Sequence, residues 1–238
     1  MYKVSVRPQS WKLKKPFKIS RGVEYDAEVI WCEISDGHHV GRGEAAGVTY
    51  GAESIESITA EVKAIAGQVA DGITREELQE LMPAGGARNA VDCALWDLEA
   101  KKSGNSVWEM IGWQPQPVTT VYTVGMDEPQ NMQKDAAAHS DCPILKVKVG
   151  IGDPIEQITA IRNGAPNSSI VIDANQGWVV ADLERYSEGL KALGVTMIEQ
   201  PMLAADDEAL RGYDSLLPLC ADESCSTTAD LERLAGLY

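Results

Sequence analysis

Two lysines and three acids carry the chemistry that this sequence could perform. Lys146 and Lys148 lie two residues apart in the apolar run from Ile144 to Val149. On a strand that spacing brings both side chains out on one face. A buried ammonium there is costly unless an anion or a function retains it. Asp173, Glu199 and Asp222 each close a later apolar run: Ile170 to Asp173, Met197 to Glu199, and Leu219 to Asp222. Successive members of the series Lys148, Asp173, Glu199 and Asp222 are about 25 residues apart, the length of one strand–helix unit. Adjacent parallel strands lie roughly 4.8 Å apart, so three consecutive strand ends could gather three carboxylates around one ion. Such hard oxygen donors suit Mg²⁺, which takes them octahedrally at about 2.0–2.1 Å. A single Asp behind a strand caps a helix or meets solvent more often than it binds an ion. Three acids on successive strands, preceded by paired lysines, favour the cation site.

The elements that would position these residues form two stretches with different patterning. From Val118 onward, strand candidates alternate with helical ones. The first and second strands are Val118 to Val124 and Ile144 to Val149, and the three acid-ended runs follow. Helices are expected around Glu128 to Ala138, from an N-cap at Asp153 with Pro154 at the first helical position, and over Ala181 to Leu193 with Gly194 as the stop. This alternation implies right-handed βαβ units and a parallel sheet. A flat doubly wound sheet and a barrel both fit it; polar residues gathered at strand C-terminal ends favour the barrel, where catalysis occurs on that face. The first ~115 residues mix strand and helix. Val29 to Ile34, the Asp36-Gly37 turn and Val40 to Glu44 read as a hairpin. Thr74 and Glu77 have the spacing of a capping box. Ala87, Ala90, Val91, Ala94, Leu95 and Leu98 make one apolar helical stripe, with Gly104 ending that helix and Gly112 the short one after it. The domains are therefore expected at 1–115, α+β, and 116–238, the first part of a (β/α) barrel through its fifth strand.

The chain has 238 residues and a formal charge of −15. That balance argues against nucleic acid and anionic membrane surfaces, both bound through an excess of Lys and Arg. Neither is an expected partner, and a homo-oligomer is left open. Five scattered cysteines read as reduced thiols rather than a disulfide framework. The first residues lack the apolar run of a signal peptide, and nowhere do about 18 consecutive apolar residues occur. A cytoplasmic location is the expectation. His38, His39 and His139 form no zinc pair, and no P-loop or nucleophile elbow is present.

Four segments, Lys146-Val147-Lys148, Asp173-Ala174-Asn175, Ile198-Glu199-Gln200-Pro201 and Cys220-Ala221-Asp222-Glu223-Ser224, resemble the muconate-lactonizing branch of the enolase superfamily. Within it, they look most like the dipeptide epimerases that act on L-Ala-D/L-Glu. Pro83 to Leu98 is similar to a helix of that family's capping domain, and Pro16-Phe17 through Arg21-Gly22 to its substrate-covering loop. The resemblance implies an α/β fold, a TIM-like (β/α)7β barrel preceded by an α+β capping domain. It implies Mg²⁺ on Asp173, Glu199 and Asp222, Lys148 as one acid/base, Lys146 polarising a substrate carboxylate, and Thr123 and Arg21 touching substrate. The implied activity is an isomerase's: epimerisation by α-proton abstraction through an enediolate, with a Lys or His base and Mg²⁺ as is general for the superfamily. Epimerisation also needs a second base on the opposite face, which the family carries on its sixth strand. The resemblance thus implies an incomplete barrel, a chain belonging to a longer enzyme, and no two-base turnover by residues 1–238 alone. Other reactions on the same scaffold remain open, namely o-succinylbenzoate synthase, N-acylamino acid racemase and muconate cycloisomerase, as does a non-catalytic barrel fragment.

Overall fold

The computed structural model describes residues 1–19, 22–47, 53–150 and 153–238. The chain divides into two compact units, one of Met1–Lys15 with Tyr25–Pro117 and one of Pro16–Glu24 with Val118–Tyr238.

The first unit holds most of a three-stranded sheet in the order β1 (Lys3–Ile19), β2 (Gly22–Ser35), β3 (Val40–Ala45), the end of β1 and the start of β2 being counted with the second unit. The expected hairpin is β2 and β3, antiparallel, with Ile30 opposite Ala45 and Ser35 opposite Val40. Gly37 takes φ 95°, a left-handed value that the tight turn requires. Ile30, Cys32 and Ile34 alternate into the core and are fully buried. Five helices follow: α1 (Ile55–Ala64), α2 (Ala66–Asp71), α3 (Arg75–Leu81), α4 (Gly86–Ser103) and α5 (Val107–Met110). The Thr74–Glu77 capping box opens α3 as the spacing predicts. The small-residue stripe of α4 is buried from Ala87 to Leu98, and Gly104 closes the helix at φ 73°. Gly41 and Gly43 of β3 explain why that stripe is small. A Cβ on either would collide with the backbone of α4, at the carbonyls of Ala94 and Ala90.

The second unit is a five-stranded parallel sheet, β4 (Tyr122–Val124), β5 (Ile144–Lys148), β6 (Ser169–Asp173), β7 (Val195–Glu199) and β8 (Leu219–Cys220), in chain order. Helices α6 (Pro129–Ala138), α7 (Ile155–Gly164) and α8 (Val180–Ala192) link the first four strands; a 3-10 helix, Ala204–Leu210, follows β7, and α9 (Asp230–Leu234) follows β8. Leu145, Val147, Ile170, Ile172 and Ile198 are fully buried in the core with Ile158, Ile161 and Leu183 of α7 and α8. The alternate positions therefore belong to the opposite face of the strands. Among the described residues no helix is long and apolar enough to cross a membrane, and all five cysteines are free.

Several boundaries differ from the sequence reading, and three of the differences bear on the second unit's architecture. Val118 to Val121 are not strand: only Tyr122–Val124 find partners on β5, and Val118 is 87% exposed. The last strand stops at Cys220 rather than Asp222. Helix α7 begins at Ile155 rather than at Pro154, and Asp153 caps it by accepting the Ile155 N–H at 2.9 Å.

Candidate metal centre

The register of the parallel sheet sets Lys148, Asp173, Glu199 and Cys220 side by side on β5, β6, β7 and β8. One level earlier, Thr123, Lys146, Val171 and Met197 are aligned in the same way on β4 to β7. Residues paired across a sheet share a face, so Thr123, both lysines, Asp173 and Glu199 emerge together. Carboxylate oxygens of Asp173, Glu199 and Asp222 all lie within 4.8 Å of one another. An octahedral ion with bonds of about 2.0–2.1 Å holds its oxygens roughly 2.9–4.2 Å apart. Three hard carboxylate donors already this close fit such an ion after small side-chain shifts.

The lysines thread this cluster. Lys148 Nζ donates to Asp173 Oδ2 at 2.6 Å, and Lys146 Nζ sits 3.0 Å from the same oxygen and 2.5 Å from Glu199 Oε1. Asp173 has no exposed side-chain surface, and its other oxygen accepts the Asn175 N–H at 2.9 Å. Burial alone would raise the Asp173 carboxyl, but the hydrogen bonds and charge of Lys148, then Lys146, hold it below the ordinary carboxylate range. Burial likewise opposes the charge on Lys146, yet Glu199 and Asp173 outweigh it and keep that ammonium firmer than usual. Glu199 goes the other way: burial, aided by the charges of Asp173 and Asp222, pushes its carboxyl up despite Lys146. Three acids beside two lysines crowd negative charge into one place, and Glu199 feels it in a raised carboxyl. A divalent cation would relieve that repulsion.

Of the residues named from sequence, six come together here: Thr123, Lys146, Lys148, Asp173, Glu199 and Asp222. Arg21 lies outside the described residues. What the sequence reading gave no role is the backbone behind the ligands. Asn175 (φ 44°), Gln176 (φ 66°) and Gln200 (φ 34°) are the non-glycine residues with left-handed backbone among those described. All follow Asp173 or Glu199 within three positions. Such conformations cost about 1–3 kcal/mol each and gather at functional sites. Their signal in the sequence is only Asn and Gln where a turn behind a strand would ordinarily prefer Gly.

Comparison with known proteins agrees with this geometry. Residues 1–112 match the family model of the mandelate racemase / muconate lactonizing enzyme N-terminal domain, and residues 131–237 that of the enolase C-terminal domain-like family. The chain is 39% identical to the L-Ala-D/L-Glu epimerase of Escherichia coli, over all of its own length and 75% of that enzyme's. It is 43% identical to an N-acetyl-D-glutamate racemase of a Pseudoalteromonas species, over 86% of this chain and 66% of that one. Among solved structures, an enolase family member from Agrobacterium tumefaciens with homology to dipeptide epimerases superposes with a TM-score of 0.96 at 40% identity. The match covers all of this chain and 73% of that one, which was solved with bound sodium and L-Ala-L-Glu. Its two family matches, its parallel sheet and its acidic triad place the chain in the enolase superfamily, in the mandelate racemase / muconate lactonizing group.

Proposed function

We propose that this chain supplies the cation site and one acid/base of an epimerase that acts at the α-carbon of a small carboxylate substrate, a dipeptide of the L-Ala-D/L-Glu kind. Residues 1–115 and 116–238 would be its two functional domains. The carrying observation is the shared level of Lys148, Asp173 and Glu199 on three adjacent strands, with Lys146 on the same face. Asp173, Glu199 and Asp222 would hold Mg²⁺. When bound, the ion supplies positive charge to a substrate carboxylate, lowering the cost of the second negative charge that α-proton loss places there as an enediolate.

Lys148 Nζ receives the α-proton, for which it must be neutral and turned away from Asp173 Oδ2. Lys146 stays charged between Glu199 and Asp173 and presents its ammonium to the substrate carboxylate. Thr123 stands level with Lys146 on β4, where its hydroxyl can hydrogen-bond the substrate. Arg21 is assigned a substrate contact from the family resemblance alone. Lys148 serves one face of the α-carbon; inversion needs a second acid/base opposite it. Five free thiols suit a reducing compartment such as the cytoplasm.

A second reading has its own support in the 43% identity to the racemase: an N-acyl amino acid as substrate, with the same roles for both lysines. Exchange of the α-proton in D₂O, followed by proton NMR with Mg²⁺ present, separates the two. Loss of the glutamate α-proton signal of L-Ala-L-Glu, abolished by EDTA and by Lys148→Ala, is the expected result. Exchange of N-acetylglutamate without the dipeptide would move the substrate to the second reading. Exchange of neither would overturn both.

A further inference from the structure

Asp222 is the least supported of the three carboxylates. Asp173 and Glu199 end five-residue strands, each paired on both sides. By contrast β8 comprises only Leu219 and Cys220, so Asp222 lies two residues past the ladder with its side chain exposed. Its carboxylate nevertheless reaches the common site. Something other than the sheet must hold it.

The side chain of Gln200, the residue after Glu199, occupies the required place. It is fully buried. Its Oε1 accepts the Asp222 N–H at 2.8 Å and the Ser224 N–H at 3.1 Å. Its Nε2 faces the Met202 carbonyl at 2.9 Å, Ser224 Oγ at 2.7 Å and Tyr238 Oη at 3.0 Å. Two backbone donors at one end and a backbone carbonyl at the other fix which end is oxygen. The Gln200 backbone adds to the grip: its N–H donates to Cys220 O at 2.8 Å and its carbonyl accepts the Gln176 N–H at 2.8 Å. These bonds over-determine the left-handed φ of 34°.

Behind the amide lies Asp207, 2% exposed, which accepts from Ser224 Oγ at 2.8 Å, Tyr238 Oη at 2.7 Å and Arg233 Nη1 at 2.8 Å. Arg233 Nη2 also donates to the Ser224 carbonyl at 2.8 Å. The hydroxyls of Ser224 and Tyr238 both give to Asp207 and face Gln200 Nε2, whose two hydrogens are shared among these two oxygens and the Met202 carbonyl. A satisfied buried network of this kind specifies one geometry. The segment it fixes is the one that carries Asp222.

We propose that Gln200 is a positioning residue for the cation site: its amide clamps the backbone at Asp222 and so sets where the third carboxylate stands, with Asp207 anchoring the clamp. Gln200 touches neither ion nor substrate. This role depends on Asp173, Glu199 and Asp222 being the ligand set proposed above.

Mn²⁺ binding to the full chain, read from the EPR signal of the free ion, tests it with wild type, Asp222→Asn, Gln200→Met and the double variant. Groups that orient metal ligands are worth about 10–100-fold in affinity, and that loss is expected for Gln200→Met. In the Asp222→Asn background the same change is expected to add nothing, because the clamp then has no ligand to place. Affinity within twofold of wild type, or losses that simply multiply in the double variant, would overturn the clamp while leaving the ligand set standing. Absence of Mn²⁺ binding by the folded wild type would sink the ligand set and the clamp together. Should Gln200→Met fail to fold, Ser224→Ala takes its place in the same cycle. It keeps the Asp222 N–H bond and removes one anchor, so a smaller, Asp222-dependent loss is expected, and an unchanged affinity overturns the proposal.

Discussion

The two units of the chain put charge to opposite uses. In the first, ion pairs lie at the rim: Lys101 with Asp97, Arg42 with Glu33, Arg75 with Glu99, all with substantial side-chain exposure on at least one partner. Its interior is made of small and branched apolar residues, with α4 lowered onto the glycines of β3. In the second, Lys146 and Lys148 keep 19% and 13% of their side-chain exposure and are sunk against a carboxylate that has none. Buried ion pairs add little net stability over an apolar replacement, because desolvation consumes most of the attraction. Their presence on strands whose other face is purely apolar marks a site kept for chemistry. Damage to the first unit should therefore read out as lost stability, and damage to this cluster as lost reaction.

The sharpest way to break that contrast is Lys148→Met. Removing a general acid/base lowers rates by about 10²–10⁴, and a fall of that order in α-proton exchange is expected. The thermal midpoint should move little by comparison, because Asp173 retains Lys146 at 3.0 Å and the Asn175 N–H at 2.9 Å. A variant that lost its fold along with its exchange would show that the lysine is a structural member after all.

Gly43→Ala probes the other side. The added methyl would fall on the carbonyl of Ala90 and the N–H of Ala94, backbone atoms that cannot swing aside as a side chain could. Overpacking of this kind costs about 1–3 kcal/mol, measurable as a lower denaturant midpoint with unchanged slope. In the protein that remains folded, Mn²⁺ affinity should match wild type.

The same contrast decides what could be read from sequence. The site was legible because each ligand ends an apolar run and the runs recur at one strand–helix interval, so types and spacing alone gather Lys146, Lys148, Asp173 and Glu199. The hairpin, the α4 stripe and the Thr74 capping box were legible for a similar reason, each being a local pattern. Strand β1 was not: Lys3 to Ile19 holds six basic residues and two prolines, and among the described residues Tyr2, Val4 and Val6 near its start pack on the first unit's core. Val118 to Val121 misled in the opposite sense, being β-branched throughout yet without a partner strand among the described residues. Asp222 does reach Asp173 and Glu199, but it lies past the ladder on which the sequence reading placed it. Its support comes from Gln200, a residue 22 positions away whose role depends on burial and on both ends of an amide, and nothing in a one-dimensional pattern announces that.

Lys101→Ala tests whether the rim pairs matter at all. Lys101 Nζ bonds Asp97 Oδ2 at 2.6 Å and the Val40 carbonyl at 2.8 Å, and its side chain is 39% exposed. Water can replace it at both oxygens. An i,i+4 pair on an exposed helix face is worth about 0.3–0.5 kcal/mol, so a change in unfolding free energy within that range is expected, shrinking further at high salt. A loss above about 2 kcal/mol would mean that the first unit, too, depends on a specific charge.

The smallest effect belongs to Asp36, at the turn of the β2–β3 hairpin. Its Oδ1 accepts the His39 N–H at 2.7 Å and the His38 N–H at 2.8 Å, and these bonds hold the carboxyl at about 2, below its ordinary 3.8. A carboxyl made more acidic by folding stabilises the fold while ionised. Its contribution is therefore complete above 3.8 and drains away as the pH falls towards 2. Asp36→Asn keeps an acceptor at Oδ1 but not the charge, so wild type should hold a small lead in unfolding midpoint near neutrality and lose it on acidification. A lead that stayed constant through that window would place the benefit in turn geometry rather than charge.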